Sequence, residues 1–209
     1  VWARDEGTDA QTDAIYYTKS TDGGYTWAPM KKIGGLGPEY NAQVPAIAIE
    51  SNGKIHIVWH GHDPNNPSLG LQQMIYQSSS DGGNTWTLGY NLAALLGGNG
   101  HGHPRIKIDS NNNLYVVWDK AGTGIAFAKS TDHGITWTAK WIQGVGLVGF
   151  NPSLACHKPD IAIGPGGVIH VTYVANAVHL GDIYYRSSSD GGTTWTDSAL
   201  KIYTSITPD

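Results

Sequence analysis

The sequence predicts an all-β chain, a β-propeller or part of one built from four-stranded antiparallel blades. Three observations carry this: an octapeptide that recurs four times, a strand–turn–strand segment that recurs three times between its copies, and a composition rich in turn formers and aromatics but poor in charge. The 209 residues include 28 Gly, 11 Tyr and 8 Trp, while charged residues make up only 14 %. Exposed helix faces need more Glu, Lys and Arg than this, so the balance favours strands and tight turns.

The octapeptide follows the pattern S-x-D-x-G-x-T-W. Its copies start at Ser20, Ser79, Ser130 and Ser188, with the aspartate at Asp22, Asp81, Asp132 and Asp190 and the tryptophan at Trp27, Trp86, Trp137 and Trp195. A carboxylate followed by glycine and hydroxyl residues reads as a turn: Asp accepts from turn amides, Gly takes the left-handed conformation, and Ser and Thr cap loose backbone groups. The tryptophan is expected to open the next strand and to bury its ring on its own blade. These eight residues are therefore read as structural.

Between the octapeptides, Pro45–Trp59 aligns with Pro104–Trp118 and Pro159–Tyr173. Each copy reads as strand A, a tight turn rich in Asn and Gly, and strand B. Strand C precedes each octapeptide, at 14–19, 74–78, 125–129 and 183–186, and strand D follows it, for example at 31–33 and 200–202. The blades fall at about 1–40, 43–98, 102–150 and 157–203, in one domain spanning 1–209. Trp2 aligns with Trp59 and Trp118, so the first blade lacks strand A, and 207–209 align with 158–160, where a strand A begins. Three blades are complete and one is partial, as in a piece of a longer propeller or a ring missing a short segment.

If A–B and C–D turns share one end of each blade, the B–C and D–A loops share the other. Six of the nine histidines fall on that second end: His60 and His62, His101 and His103, His157, and His179. Imidazoles at this spacing could ligate a divalent metal, with Cys156 or Asp63 joining; otherwise no cofactor is implied. His56 and His170, inside strand B, are expected to be packed and hydrogen-bonded. Arg4 and Asp5 in the first B–C loop, Asp119 in the matching later loop, and Arg105 and Lys107 on strand A form the candidate ligand-binding set. A rim ion pair of Arg105 with Asp160 or Asp109 is the plainer reading of that charge.

The four octapeptides resemble the Asp-box, or BNR, repeats of the sialidase-like propellers, over nearly the whole chain. The resemblance implies the propeller fold and a functional face opposite the boxes. In that family three arginines hold the substrate carboxylate, a tyrosine paired to a glutamate attacks, and an aspartate supplies the acid. This chain has only three arginines and three glutamates. Arg105-Ile106 loosely echoes an Arg-Ile-Pro motif, but Pro104 precedes the arginine instead. Arg186 is expected on an outer strand, equivalent to Lys19 and Lys129 and away from the centre.

The chain is accordingly expected to be a non-catalytic binding or structural propeller, extracellular or at the cell surface, and carbohydrate- or surface-associated. Asn65, Asn66, Tyr90, Asn91, Asn99 and Trp141 are the candidate sugar contacts. A sialidase-like exo-glycosidase, or a fragment of one, and a metal-binding propeller are the alternatives; another glycosidase would need paired carboxylates among Asp5, Glu6, Asp63 and Asp119. A net charge of −4 and no basic patch exclude nucleic acid as a partner. No apolar run is long enough for a membrane-spanning helix. Strand edges remain available to other protein chains.

Overall fold

The computed structural model describes residues 1–4, 13–34, 42–63, 72–97, 100–120, 124–144, 155–176, 181–196 and 199–203. Apart from two short 3-10 turns, Leu92–Leu95 and Pro165–Gly167, its regular structure is all strand. The chain falls into two compact units, Val1–Asn99 and Gly100–Asp209.

The first unit holds sheets I and II. Sheet I is β1 (Trp2–Arg4), β2 (Ala14–Tyr17) and β3 (Lys31–Gly34), in that order. Sheet II is β4 (Gln43–Ile49), β5 (Ile55–Gly61), β6 (Gln73–Ser79) and the two-residue β7 (Tyr90–Asn91). The second unit holds sheet III, with β8 (His101–Ile108), β9 (Leu114–Lys120), β10 (Gly124–Ser130) and β11 (Thr138–Gly144), and sheet IV, with β12 (Ala155–Ile163), β13 (Ile169–Asn176), β14 (Asp182–Ser188) and β15 (Leu200–Tyr203). Every sheet is antiparallel between sequence neighbours, so A–B and C–D turns do share one end.

Alternation along the strands builds the cores. In β5, Ile55, Ile57 and Trp59 join Ile15, Tyr17 and Ile33 of sheet I. In β13, Ile169, Val171 and Tyr173 join Tyr115, Val117, Ile125 and Phe127 of sheet III. Side chains of period two place one apolar set against the preceding sheet and leave the other for the following one.

Sheet I contains no counterpart of β8 or β12 among the described residues, and the consequence is visible next door. Ile47 and Ile49 on β4 are 37 % and 59 % exposed, whereas Ile161, the β12 residue matching Ile47, is 2 % exposed.

One feature of the inner strands is absent from the sequence reading. β4, β8 and β12 each carry a bulge, between Gln43 and Ala46, Gly102 and Arg105, and His157 and Asp160. Each bulge holds the repeat proline, which has no N–H to give to a ladder. The residue before it takes positive φ: 48° at Val44, 47° at His103 and 50° at Lys158. Residues before proline normally avoid this region, and a strained position of this kind costs about 1–3 kcal/mol.

Candidate functional site

The four octapeptides form one hydrogen-bonded turn, repeated. In each, the serine hydroxyl donates to aspartate Oδ1 and accepts from the second glycine's N–H; the threonine N–H binds Oδ1 and its hydroxyl binds Oδ2 at 2.5–2.6 Å. The indole N–H of Trp27, Trp86, Trp137 and Trp195 closes the turn on a glycine carbonyl at 3.1–3.2 Å. Thr and Ser donors hold all four carboxyls well below the usual carboxylate range, with the Thr hydroxyl foremost at Asp81, Asp132 and Asp190 and the Ser20 hydroxyl foremost at Asp22. The carboxylate oxygens of these four aspartates are committed to their turns.

The tryptophans differ from expectation. They precede strand D rather than forming part of it, and the rings of Trp86 and Trp195 reach back to the preceding sheet instead of their own. Trp86 meets Tyr17 edge-on at 5.4 Å, and Trp195 meets Phe127 edge-on at 5.1 Å. Lysines complete the contacts, two in the first unit and one in the second. Lys19 donates to the Gly82 carbonyl at 2.9 Å and Lys31 to that of Asn84; in the second unit Lys140 donates to Thr193. Trp137 is buried, but Trp27 is 62 % exposed.

At the opposite end of the second unit, the two bulges converge on Asp119. Its Oδ2 accepts the backbone N–H of Lys158 at 2.7 Å and pairs with His103 Nδ1 at 2.9 Å. The strained conformations of His103 and Lys158 thus aim a ring and an amide at one carboxylate, itself only 5 % exposed. Beneath it lie Cys156 and Tyr173, each 2 % exposed, and Arg186, 5 % exposed. Burial, helped by the Asp119 charge, pushes the Cys156 thiol up to about 11, and burial likewise raises the Tyr173 phenol. The arrangement can hold a hydrogen-bonding group near the half-exposed His103; it supplies no activated nucleophile.

Arg186 corrects an alignment. Counted from the octapeptide serine it matches Thr18, Gln77 and Ala128, not Lys19 and Lys129. A one-residue shift reverses the face of a strand, so Arg186 pairs across from Val171 inside the unit instead of lying on the outer surface. Arg105 forms a rim ion pair with Asp160, Nε to Oδ1 at 3.9 Å, and also donates to the Pro104 carbonyl, while Lys107 is exposed. Arg4 lies 5.7 Å from the Tyr16 ring centroid, with Met30 beside it. All three arginines of the chain are therefore placed, and each has a separate engagement.

The histidines are likewise divided. His60 bonds Gln43 Oε1 at 3.4 Å, and His62 follows β5, both in the first unit. In the second unit, His101 Nδ1 accepts the Trp118 indole N–H at 2.7 Å and its ring stacks on Trp141, while His157 lies opposite Val174. Among the described residues no group of three or more His, Cys, Asp or Glu side chains comes together as a metal site. Asp63 is buried and accepts from Asn91, which in turn accepts the Ala94 N–H. His56 bridges Tyr76 and Glu50 at 2.7 and 2.9 Å, and His170 bonds Tyr185 at 2.6 Å. Asp5, Glu6, Asn65, Asn66, Asn99 and His179 lie outside the described residues.

No protein-family model matches the chain, and no curated protein matches it in sequence. Solved structures do. A Hadza microbial sialidase superposes with a TM-score of 0.63 at 18 % identity, over 90 % of this chain and 40 % of its own. The intramolecular trans-sialidase from Ruminococcus gnavus gives 0.64 at 12 % identity, over 92 % and 64 %. The chain has the fold of the sialidases. A protein of unknown function from Dyadobacter fermentans gives 0.67 at 18 % identity, over 98 % and 63 %, so the sialidase-like fold is not confined to proteins with a named activity. The chain spans between two fifths and two thirds of the length of these structures.

Proposed function

We propose that the chain is an Asp-box propeller, or a part of one, that works outside the cell as a carbohydrate- or surface-associated binding module and not as a sialidase. The observation that carries this reading is the placement of the arginines. A sialoside carboxylate is best held by several guanidinium groups in bidentate geometry. Here Arg105 is spent on Asp160, Arg186 is buried among apolar residues and tyrosines, and Arg4 lies against Tyr16. The end opposite the octapeptide turns, with His103 over Asp119, is the binding face on this reading.

A glycan array read alongside a fluorogenic sialoside assay tests it. Binding of a defined glycan class without turnover is the expected result. Clear turnover by the 209-residue chain overturns it and favours the second reading, a sialidase-like exo-glycosidase, to which the sialidase structures sharing this fold lend support.

A further inference from the structure

A pair of lysines recurs at the same places in both units. Lys19 and Lys129 stand just before the octapeptide serine of sheets I and III. Lys31 and Lys140 pair across from Tyr17 and Phe127 on strand D of the same sheets. Each pair meets the octapeptide turn of the following sheet, and that turn leaves room for it. Gly82 and Gly191 follow the aspartates with φ of 70° and 68°. A Cβ there would fall 2.9 Å from Lys19 Nζ and 2.7 Å from Lys129 Nζ. Glycine thus serves both the left-handed turn and the ammonium beside it.

The groups these lysines meet are neutral. Lys19 donates to the Gly82 carbonyl, Lys31 to that of Asn84 and Lys140 to that of Thr193, while Lys129 lies 5.8 Å from the Tyr115 ring centroid. Among the described residues none of the four is in an ion pair, whereas Lys201 of sheet IV is paired with Asp182 at 2.6 Å. The Asp81 and Asp190 carboxylates on the facing turns are bound within those turns. A carbonyl occupies one of an ammonium's three N–H groups and cancels none of its charge. Two such charges lining one cleft of a chain with net charge −4 form a local positive site.

In the second unit this cleft has a volume of about 250 Å³ and is lined by Lys129 and Lys140 with Phe127, Thr138, Gly191 and Thr193. That is below the roughly 300–1,000 Å³ of pockets that enclose a whole small ligand, so it suits one charged substituent with the rest of its molecule outside. Lysine is a point charge with rotatable donors and imposes no planar fork, so a sulfate ester and a carboxylate both fit. We propose that the cleft is an anion subsite for an acidic polysaccharide, with one sulfate ester or carboxylate held between Lys129 and Lys140. The Lys19–Lys31 pair is the matching subsite of the first unit. The polysaccharide rests on the carbohydrate-binding reading of the chain. The subsite itself lies at the octapeptide end of the blades, away from His103 and Asp119, so the two can fail separately.

Amide NMR on the 209-residue chain reads the site locally. The titrants are a sulfated oligosaccharide, a neutral one of the same length, and sodium sulfate alone. The sulfated oligosaccharide should shift the Gly191 and Thr193 amides, about tenfold more tightly than sodium sulfate, and the neutral one should not shift them. Raising the salt from about 0.01 M to 0.1 M, which shortens the screening length from about 30 to 10 Å, should weaken the effect. Lys129→Gln removes the charge without removing a hydrogen bond to the turn and should weaken binding about tenfold; Lys140→Gln should do the same. Lys201→Gln, an equal change in net charge at an ion-paired lysine, should leave binding intact. Absence of shifts at Gly191 and Thr193 overturns the proposal, and so does binding that survives both cleft substitutions or falls equally in Lys201→Gln. Shifts confined to the His103–Asp119 end overturn the subsite while supporting the carbohydrate reading. Sodium sulfate that binds as tightly as the oligosaccharide overturns the assignment to a polysaccharide.

Discussion

Replacing Gly83 with alanine should destabilise the chain far more than the same change at Gly24, although both glycines hold the same place in the same turn. Both backbones are left-handed, with φ of 90° at Gly83 and 94° at Gly24, so alanine pays about 1–2 kcal/mol of conformational strain at either position. The surroundings separate them. A Cβ on Gly83 would fall 2.3 Å from Tyr17 Cε1, whereas one on Gly24 meets nothing within 4 Å. Tyr17 cannot step aside freely, because its ring is the platform for Trp86. Overpacking of this kind costs about 1–3 kcal/mol, and loss of the edge-on aromatic pair about 0.5–1.5 kcal/mol. Gly83→Ala is therefore expected to cost about 2.5–6.5 kcal/mol and Gly24→Ala about 1–2 kcal/mol. Gly192, whose added Cβ would fall 2.4 Å from Phe127, should behave like Gly83. Urea unfolding followed by tryptophan fluorescence and by circular dichroism gives the three values. Equal losses at Gly24 and Gly83 would refute the claim that the turn is seated on the preceding sheet.

Three further outcomes follow from the same geometry. Cys156, with its thiol raised to about 11, should react with a disulfide reagent at pH 8 roughly 100-fold more slowly than an ordinary thiol, and at the ordinary rate once urea unfolds the chain; fast labelling of the folded chain would contradict its burial. Asp119→Ala removes the acceptor of the Lys158 N–H and should cost about 1–3 kcal/mol in a urea titration, with no such loss for Asp160→Ala on the exposed rim. The octapeptide carboxyls are depressed in the folded state, so their contribution is complete above the unfolded carboxylate range and is lost progressively as pH falls from that range toward the depressed folded value; the urea midpoint should begin to drop below about pH 4 and keep dropping, and less steeply in Asp81→Asn. An unchanged slope in that variant would mean that the turn does not depend on its charge.

The octapeptide and the Pro-to-aromatic segment, by themselves, determined the strand count, the antiparallel order and which loops share an end. They could do so because turn chemistry and side-chain alternation are local: Asp22 needs only Thr26 four residues on, and Ile55 and Ile57 need only the period of a strand. The tertiary structure decided what lies across from each turn. Trp27 and Trp86 close the same turn, yet one is exposed and the other rests on Tyr17 of the preceding sheet, a difference set by tertiary surroundings and not by the turn. Arg186 was legible as a strand C residue, but its burial was not, because it stands one position off Lys19 and Lys129 and period two puts adjacent positions on opposite faces. The bulges at Val44, His103 and Lys158 were hidden too, since a residue before proline normally avoids the conformation they adopt, and only packing sustains it. Asp119 was legible as a charged residue at the end of strand B; that two bulges from separate strands would aim at it was not, because its partners lie 16 and 39 residues away along the chain.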